Sequence, residues 1–185
     1  MFSDGSHYEK RIDAKGGVLS DERIEDEIPF EVPEGWVWAR LGSLFDMQAG
    51  KSIPASLIND APSAEKAIPC FGGNGIRGFV AKANRFESHQ VIGRQGALCG
   101  CVNYAEGPFY ATEHAVVVSC FGGIGDEWAG LILAGLNLNQ YATATAQPGL
   151  AVSKISNALT PLPPLAEQRR IAERVAELMP LVDGY

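Results

Sequence analysis

The apolar residues of this chain come in short bursts, each stopped within a few positions by glycine, proline or asparagine. The bursts include Trp36–Leu41, Ala67–Phe71, Gly78–Val80, Gln90–Gly93, Ala97–Val102 and Ala115–Val118. A helix needs an apolar stripe sustained over 10 or more residues, so bursts of this length predict strands instead. Twenty-one glycines supply the punctuation, and glycine at that density predicts tight turns in a compact sheet. Pro33-Glu34-Gly35 marks a turn before the first strand. The longest internal helical pattern runs from Gly125 to Gln140, with Trp128, Leu131, Ile132, Ala134 and Leu136. The expectation is an α/β domain of the mixed α+β kind, built on a glycine-rich sheet.

The C-terminal segment obeys a different rule. Pro161-Leu162-Pro163-Pro164 halts the chain, and prolines are suited to the position just before or at a helix start. Beyond them Leu165, Ile171, Val175, Leu178 and Val182 form an amphipathic stripe, widened by Ala172 and Met179. From Leu165 to Val182 the helix would run about 27 Å at roughly 1.5 Å per residue. Such a stripe fits packing on its own domain and docking on a partner helix equally well. Residues 1–30 are charged and poor in large apolar groups. They predict a solvated, extended arm, in which Ser20–Arg23 could cap a short helical turn.

Charge must be divided before it is used. The net charge is −7, yet residues 1–35 carry ten acidic and four basic side chains, while residues 36–160 carry eight of each. The acidity belongs to the arm, and any attraction of the central body for phosphate would be local. No apolar run reaches the roughly 18 residues of a membrane span, and the N-terminus has no apolar signal core, so a cytoplasmic protein is expected.

Known catalytic and cofactor patterns find little support. Cys70, Cys99, Cys101 and Cys120 contain no C-x-x-C pair, and His7, His89 and His114 are scattered, which argues against zinc. Gly73-Asn74-Gly75-Ile76-Arg77-Gly78 fits G-x-G-x-x-G. That motif needs a helix immediately afterwards to receive a pyrophosphate, and no helical stripe follows. These glycines are assigned to tight turns. No nucleophile elbow, phosphate loop or paired carboxylate centre is present. Pro163-Pro164 is followed by Leu165, not by the aromatic residue of an aminomethyltransferase signature.

Side chains able to read bases cluster on the turn-rich segments. Arginine can take guanine bidentately, and asparagine or glutamine can take adenine. On that ground Asn74, Arg77, Arg94, Gln95 and His114 are the base-reading candidates, with Thr112 and Glu113 beside His114, and Gln147 and Ser153 forming a further polar group before the proline brake. Lys51, Lys82, Arg85 and Lys154 are the phosphate candidates. Each, taken singly, also reads as a solvated or turn-forming polar residue.

Three stretches resemble the specificity (S) subunits of type I restriction-modification systems. Ile28–Gly42, with its paired tryptophans Trp36 and Trp38, is similar to the opening of a target recognition domain. Gly73–Gly78, Ile92–Val102 and Phe109–Val118 resemble that domain's glycine-rich body. Gln147–Leu150 followed by Leu162-Pro163-Pro164-Leu165-Ala166-Glu167-Gln168 is similar to the exit into a spacer helix. The resemblance implies a target recognition domain over 31–163, an assembly helix over 164–185 and a linker-like arm over 1–30. It further implies a non-catalytic chain reading half of a split double-stranded DNA site. The helix would dock modification subunits, which bind S-adenosylmethionine, and restriction subunits would join the assembly. Family members typically carry two such domains and two long helices. A chain with one of each is expected to be a half-size subunit that dimerises or a piece of a longer one. Two other classes remain open: an interaction module that never touches DNA, and a small-molecule-binding α/β domain.

Overall fold

A computed structural model describes residues 7–143 and 148–182. In chain order the elements are β1 (Tyr8–Ile12), β2 (Val18–Arg23), β3 (Val37–Arg40), α1 (Leu41–Leu44), β4 (Phe45–Ala49), β5 (Ile68–Gly72) and β6 (Gly75–Val80). There follow β7 (His89–Gly93), β8 (Val102–Ala105), β9 (Tyr110–Ala111), β10 (Ala115–Cys120), α2 (Asp126–Gly135), α3 (Val152–Ser156), β11 (Leu159–Leu162) and α4 (Leu165–Val182). The mixed α+β class read from the sequence is the class observed.

The body is organised around β10, a central strand of the antiparallel sheet β4-β10-β7-β8. Successive side chains of a strand face opposite sides of its sheet. Val116 and Val118 therefore enter one core with Ile92, Trp128 and Leu133. Ala115 and Val117 enter a second core with Phe71, Val91 and Phe109. Burial on both faces explains why this strand is continuously apolar rather than alternating. The second core is closed by the small sheet β6-β5-β9, in which β5 and β9 run parallel. A separate ribbon pairs β11 with β3, from Leu159↔Arg40 to Leu162↔Val37. The two ends of the body are thus joined, and the chain passes directly from this ribbon into α4.

Three local expectations are corrected. Residues Tyr8–Arg23 form a hairpin rather than an extended arm, and Ser20–Arg23 lies in β2 rather than in a helical turn. Arg40 holds the hairpin region against the body. Its guanidinium donates to Glu9 at 2.9 Å, to Glu27 at 2.7 and 2.8 Å, and to the Asn157 carbonyl at 2.8 Å. The run Ala97–Val102 is mostly turn, with β8 beginning only at Val102. The helix expected over Gly125–Gln140 ends at Gly135, and Asn137 takes a left-handed conformation (φ 47°) before a 3-10 turn at Leu138–Tyr141. Asparagine tolerates that conformation better than most residues, so it stops the helix there.

Helix α4 begins as the proline pattern predicts, and its first turns are fastened to the body. Buried Gln168 accepts from the Gly125 amide and donates to the Pro163 carbonyl, both at 3.0 Å. The Trp36 indole donates to Glu167 at 2.9 Å. Ile171 packs against the first core. Further along, Leu178 is 41% exposed and Met179 50%. The stripe therefore does two things: Ile171 packs at home, while Leu165 at its start and Leu178 and Met179 in its later turns stay uncovered. The side chain of Val182 lies outside the described residues.

Candidate nucleic-acid interface

Three loops from distant parts of the chain meet at one end of the body. The first is the Gly73-Asn74 turn between β5 and β6. The second follows β7 at Arg94–Gly96, and the third is the Thr112–His114 turn before β10. Backbone hydrogen bonds knit them together. The Arg94 amide donates to the His114 carbonyl at 2.8 Å, and the Gly96 amide to the Pro148 carbonyl at 3.1 Å. Gln95 forms an isolated bridge with Gly149. The loops approach so closely that a Cβ on Gly73 would collide with the Gln95 carbonyl oxygen, and one on Gly93 with the Gly73 carbonyl oxygen. Glycine at these two positions lets backbone lie against backbone.

The result is a pair of adjoining clefts. Asn74, Gln95 and His114 line one, with Pro148 and Gly149 as its wall. Asn74, Ile76, Arg77 and His114 line the other. Four base-reading candidates separated by up to forty positions in sequence are thus gathered together. Arg94 joins them through its backbone, but its Nε is engaged with the Leu150 carbonyl at 3.2 Å, which gives it a part in holding the loop. Arg77 owes its place to a β-bulge. Ile76 pairs with Phe71 and Gly78 with Cys70, leaving Arg77 without a partner across the ladder. A bulge of this kind re-aims side chains.

The phosphate candidates divide. Exposed Lys51 follows β4, and its amide donates to the Ala111 carbonyl at 3.0 Å, beside the strand leading to the His114 turn. Exposed Lys82 follows β6, and half-buried Arg85 pairs through its backbone with Phe109. Lys154 on α3 is not gathered with them; it lines a separate groove with Trp38, Ile132 and Tyr141. Gln147 lies outside the described residues.

Two buried polar atoms at the His114 turn have no hydrogen-bond partner among the described residues: Glu113 Oε2 and His114 Nδ1. Glu113 Oε1 lies 3.4 Å from His114 Nε2. An unpartnered buried group costs about 1–3 kcal/mol, and Trp38 Nε1 and Thr160 Oγ1 on the β3–β11 ribbon share this state. Burial pushes the Cys70 thiol above its ordinary range, with the Arg77 charge opposing and the Glu113 charge adding. It is an inert packing residue below the clefts. No group of three His, Cys, Asp or Glu among the described residues could hold a metal ion.

Sequence reasoning passed over Ile76, and it took Pro148 and Gly149 as part of an exit motif rather than as a cleft wall. No local pattern marks a residue as a wall, because the opposite side of the cleft comes from elsewhere in the chain.

Residues 33–180 match the family model described as the type I restriction modification DNA specificity domain. The chain belongs to this family. The specificity subunit of the type I restriction enzyme EcoprrI from Escherichia coli is 49% identical over 132 residues, covering 71% of this chain and 33% of that subunit. Among solved structures, the S subunit of a type I restriction-modification system from M. genitalium superposes with a TM-score of 0.68 at 20% identity. It covers 80% of this chain and 41% of its own. The HsdS subunit of Thermoanaerobacter tengcongensis gives 0.63 at 22% identity, over 84% of this chain and 40% of its own. At those identities the structural likeness is one of fold. This specificity domain spans about a third of the EcoprrI subunit and about two fifths of the S subunits. No helix among its described residues is long and apolar enough to cross a membrane.

Proposed function

We propose that this chain is a non-catalytic, sequence-reading component of a cytoplasmic type I restriction-modification complex, recognising one half of a bipartite double-stranded DNA target. The observation that carries the reading is the convergence of Asn74, Arg77, Gln95 and His114 on one pair of glycine-lined clefts, in a chain of the DNA specificity family. Guanidinium, amide and imidazole groups match the donor and acceptor pattern of the major groove. Lys51, Lys82 and Arg85 would engage backbone phosphate nearby, and Lys154 would do so only from its separate groove. The chain would need no cofactor, S-adenosylmethionine being bound by the modification subunits that α4 recruits through Leu178 and Met179. Restriction subunits would complete the assembly. The second half-site would be read by another copy of this chain or by a second recognition domain. A second copy related by a two-fold axis would make the target palindromic.

The body has no net charge and the hairpin region is acidic, so DNA affinity of the chain alone is expected to be weak and strongly salt-dependent. The same charge distribution favours a second reading, an interaction module that does not contact DNA. Methylome sequencing of cells carrying the chain and its modification subunit separates the two. A bipartite methylated motif that is erased or altered by Arg77→Ala supports DNA reading. An unaltered motif removes Arg77 from the interface, and a complex whose affinity is independent of DNA sequence favours the interaction module. Arg94→Ala is expected to act partly by releasing Leu150.

A further inference from the structure

We infer that Ile76 is a specificity determinant that reads a pyrimidine 5-methyl group, in a base step whose neighbouring guanine is read by Arg77. The inference rests on the DNA-reading function proposed above and names a chemical group that the cleft selects.

Ile76 is 56% exposed, although it lies in a strand whose other large aliphatic, Val80, is 2% exposed. The side chains sharing its cleft are an amide, a guanidinium and an imidazole, those of Asn74, Arg77 and His114. A branched aliphatic group there has no apolar neighbour in the cleft to pack on. The major groove offers one apolar feature, the 5-methyl of thymine, among its otherwise polar edges.

The position of Ile76 next to Arg77 follows from the bulge. Consecutive residues of a regular strand face opposite sides, yet Ile76 and Arg77 line the same cleft, because Arg77 is the unpaired residue of the ladder. The Arg77 stem lies over Gly72, where an added Cβ would come 3.5 Å from its Cβ and 3.6 Å from its Cδ. Neighbouring Cα atoms are about 3.8 Å apart and stacked base pairs about 3.4 Å. With β6 laid along the groove, one aliphatic and one guanidinium side chain in succession would reach two successive base pairs, one presenting a methyl and the other guanine O6 and N7.

The test uses the full chain assembled with its modification subunit and two random duplex libraries, one made with thymidine and one with deoxyuridine, which lacks only the methyl. Selection from the first library is expected to enrich a motif with thymine adjoining a G·C pair. Replacing that thymine by uracil should weaken binding about fourfold, the value of burying one methyl group. Ile76→Ala should bind both forms alike, and Ile76→Val should keep part of the preference. Because Ile76 is exposed, both variants should melt with the wild type. A motif enriched equally from both libraries overturns this inference and leaves DNA reading intact. So does an unchanged uracil penalty in Ile76→Ala. If neither library yields a motif, DNA reading itself fails, and the inference falls with it.

Discussion

The Gly73-Asn74 turn lies so close to the Gln95 loop that position 73 has no room for a side chain, and Gly73→Ala tests this. The added Cβ would be driven onto the Gln95 carbonyl oxygen, with the Gln95 carbonyl carbon at 3.4 Å and its amide nitrogen at 3.6 Å. The overlap is on the order of 1 Å short of ordinary contact, and both partners are backbone, so no side chain can turn aside. Overpacking of this sort costs about 1–3 kcal/mol. For a chain of this size each kcal/mol lowers the melting temperature by about 2–4 °C, which predicts a fall of about 2–12 °C. Gly72→Ala is the control. Its Cβ would come no closer than 3.5 Å to the Arg77 side chain and 3.9 Å to Thr112 Oγ1, both ordinary contacts, and reduced freedom in the unfolded chain offsets any small strain. Differential scanning calorimetry reads stability, and methylation by the assembled complex reads the displacement of Asn74 and Arg77. If Gly73→Ala melted and methylated like Gly72→Ala, the close-approach argument would be wrong.

Two other outcomes follow from named contacts. Gln168→Leu removes both bonds that fasten α4 to the body, and should lower stability by about 1–3 kcal/mol for each group left unpaired. Gln168→Glu would bury a carboxylate and face its oxygen against the Pro163 carbonyl oxygen, so its urea midpoint should fall at least as far as that of Gln168→Leu. An unshifted midpoint for Gln168→Leu would rule out this anchoring role. The hairpin should loosen in acid. At Glu9 burial pushes the pKa up, but bonds from Arg40 and Arg11 outweigh it and hold the carboxyl below its ordinary range. At Glu27 the Arg40 bond dominates over burial with the same result. Depressed carboxylates contribute stability that is complete above their unfolded value, near 4.5, and lost as pH falls through the lower folded value. Protection factors of Tyr8–Arg23, taken against the intrinsic exchange rate at each pH, should therefore fall below that range while those of Val116–Val118 hold. An equal fall in both would show that the clamp is not the acid-sensitive element.

The readable parts of this chain were those set by local chemistry. The proline brake and the apolar spacing after it located α4, because helix geometry turns a spacing of three and four into a face. Glycine punctuation located most turns, and the run Ala115–Val118 marked a strand. The N-terminal hairpin escaped notice because its strands bury little of either face, leaving Ile12, Val18 and Leu19 exposed. What holds it is a clamp between Glu9, Glu27 and Arg40, residues distant in sequence. The Ala97–Val102 segment looked like a strand by composition, yet the Gly96 and Gly100 bends turned it into a loop.

The class of fold, the terminal helix and the residue types suited to reading bases are written in local stretches of the chain. Periodicity, turn chemistry and side-chain hydrogen bonding are properties of short stretches, and a single chain displays them openly. Only the tertiary structure decided which polar residues share a cleft, that Lys154 stands apart, and that a bulge sets Ile76 beside Arg77. Those outcomes depend on strand register and on how closely one backbone approaches another. Both are fixed by the packing of the two cores and by the room that Gly73 and Gly93 leave between the loops.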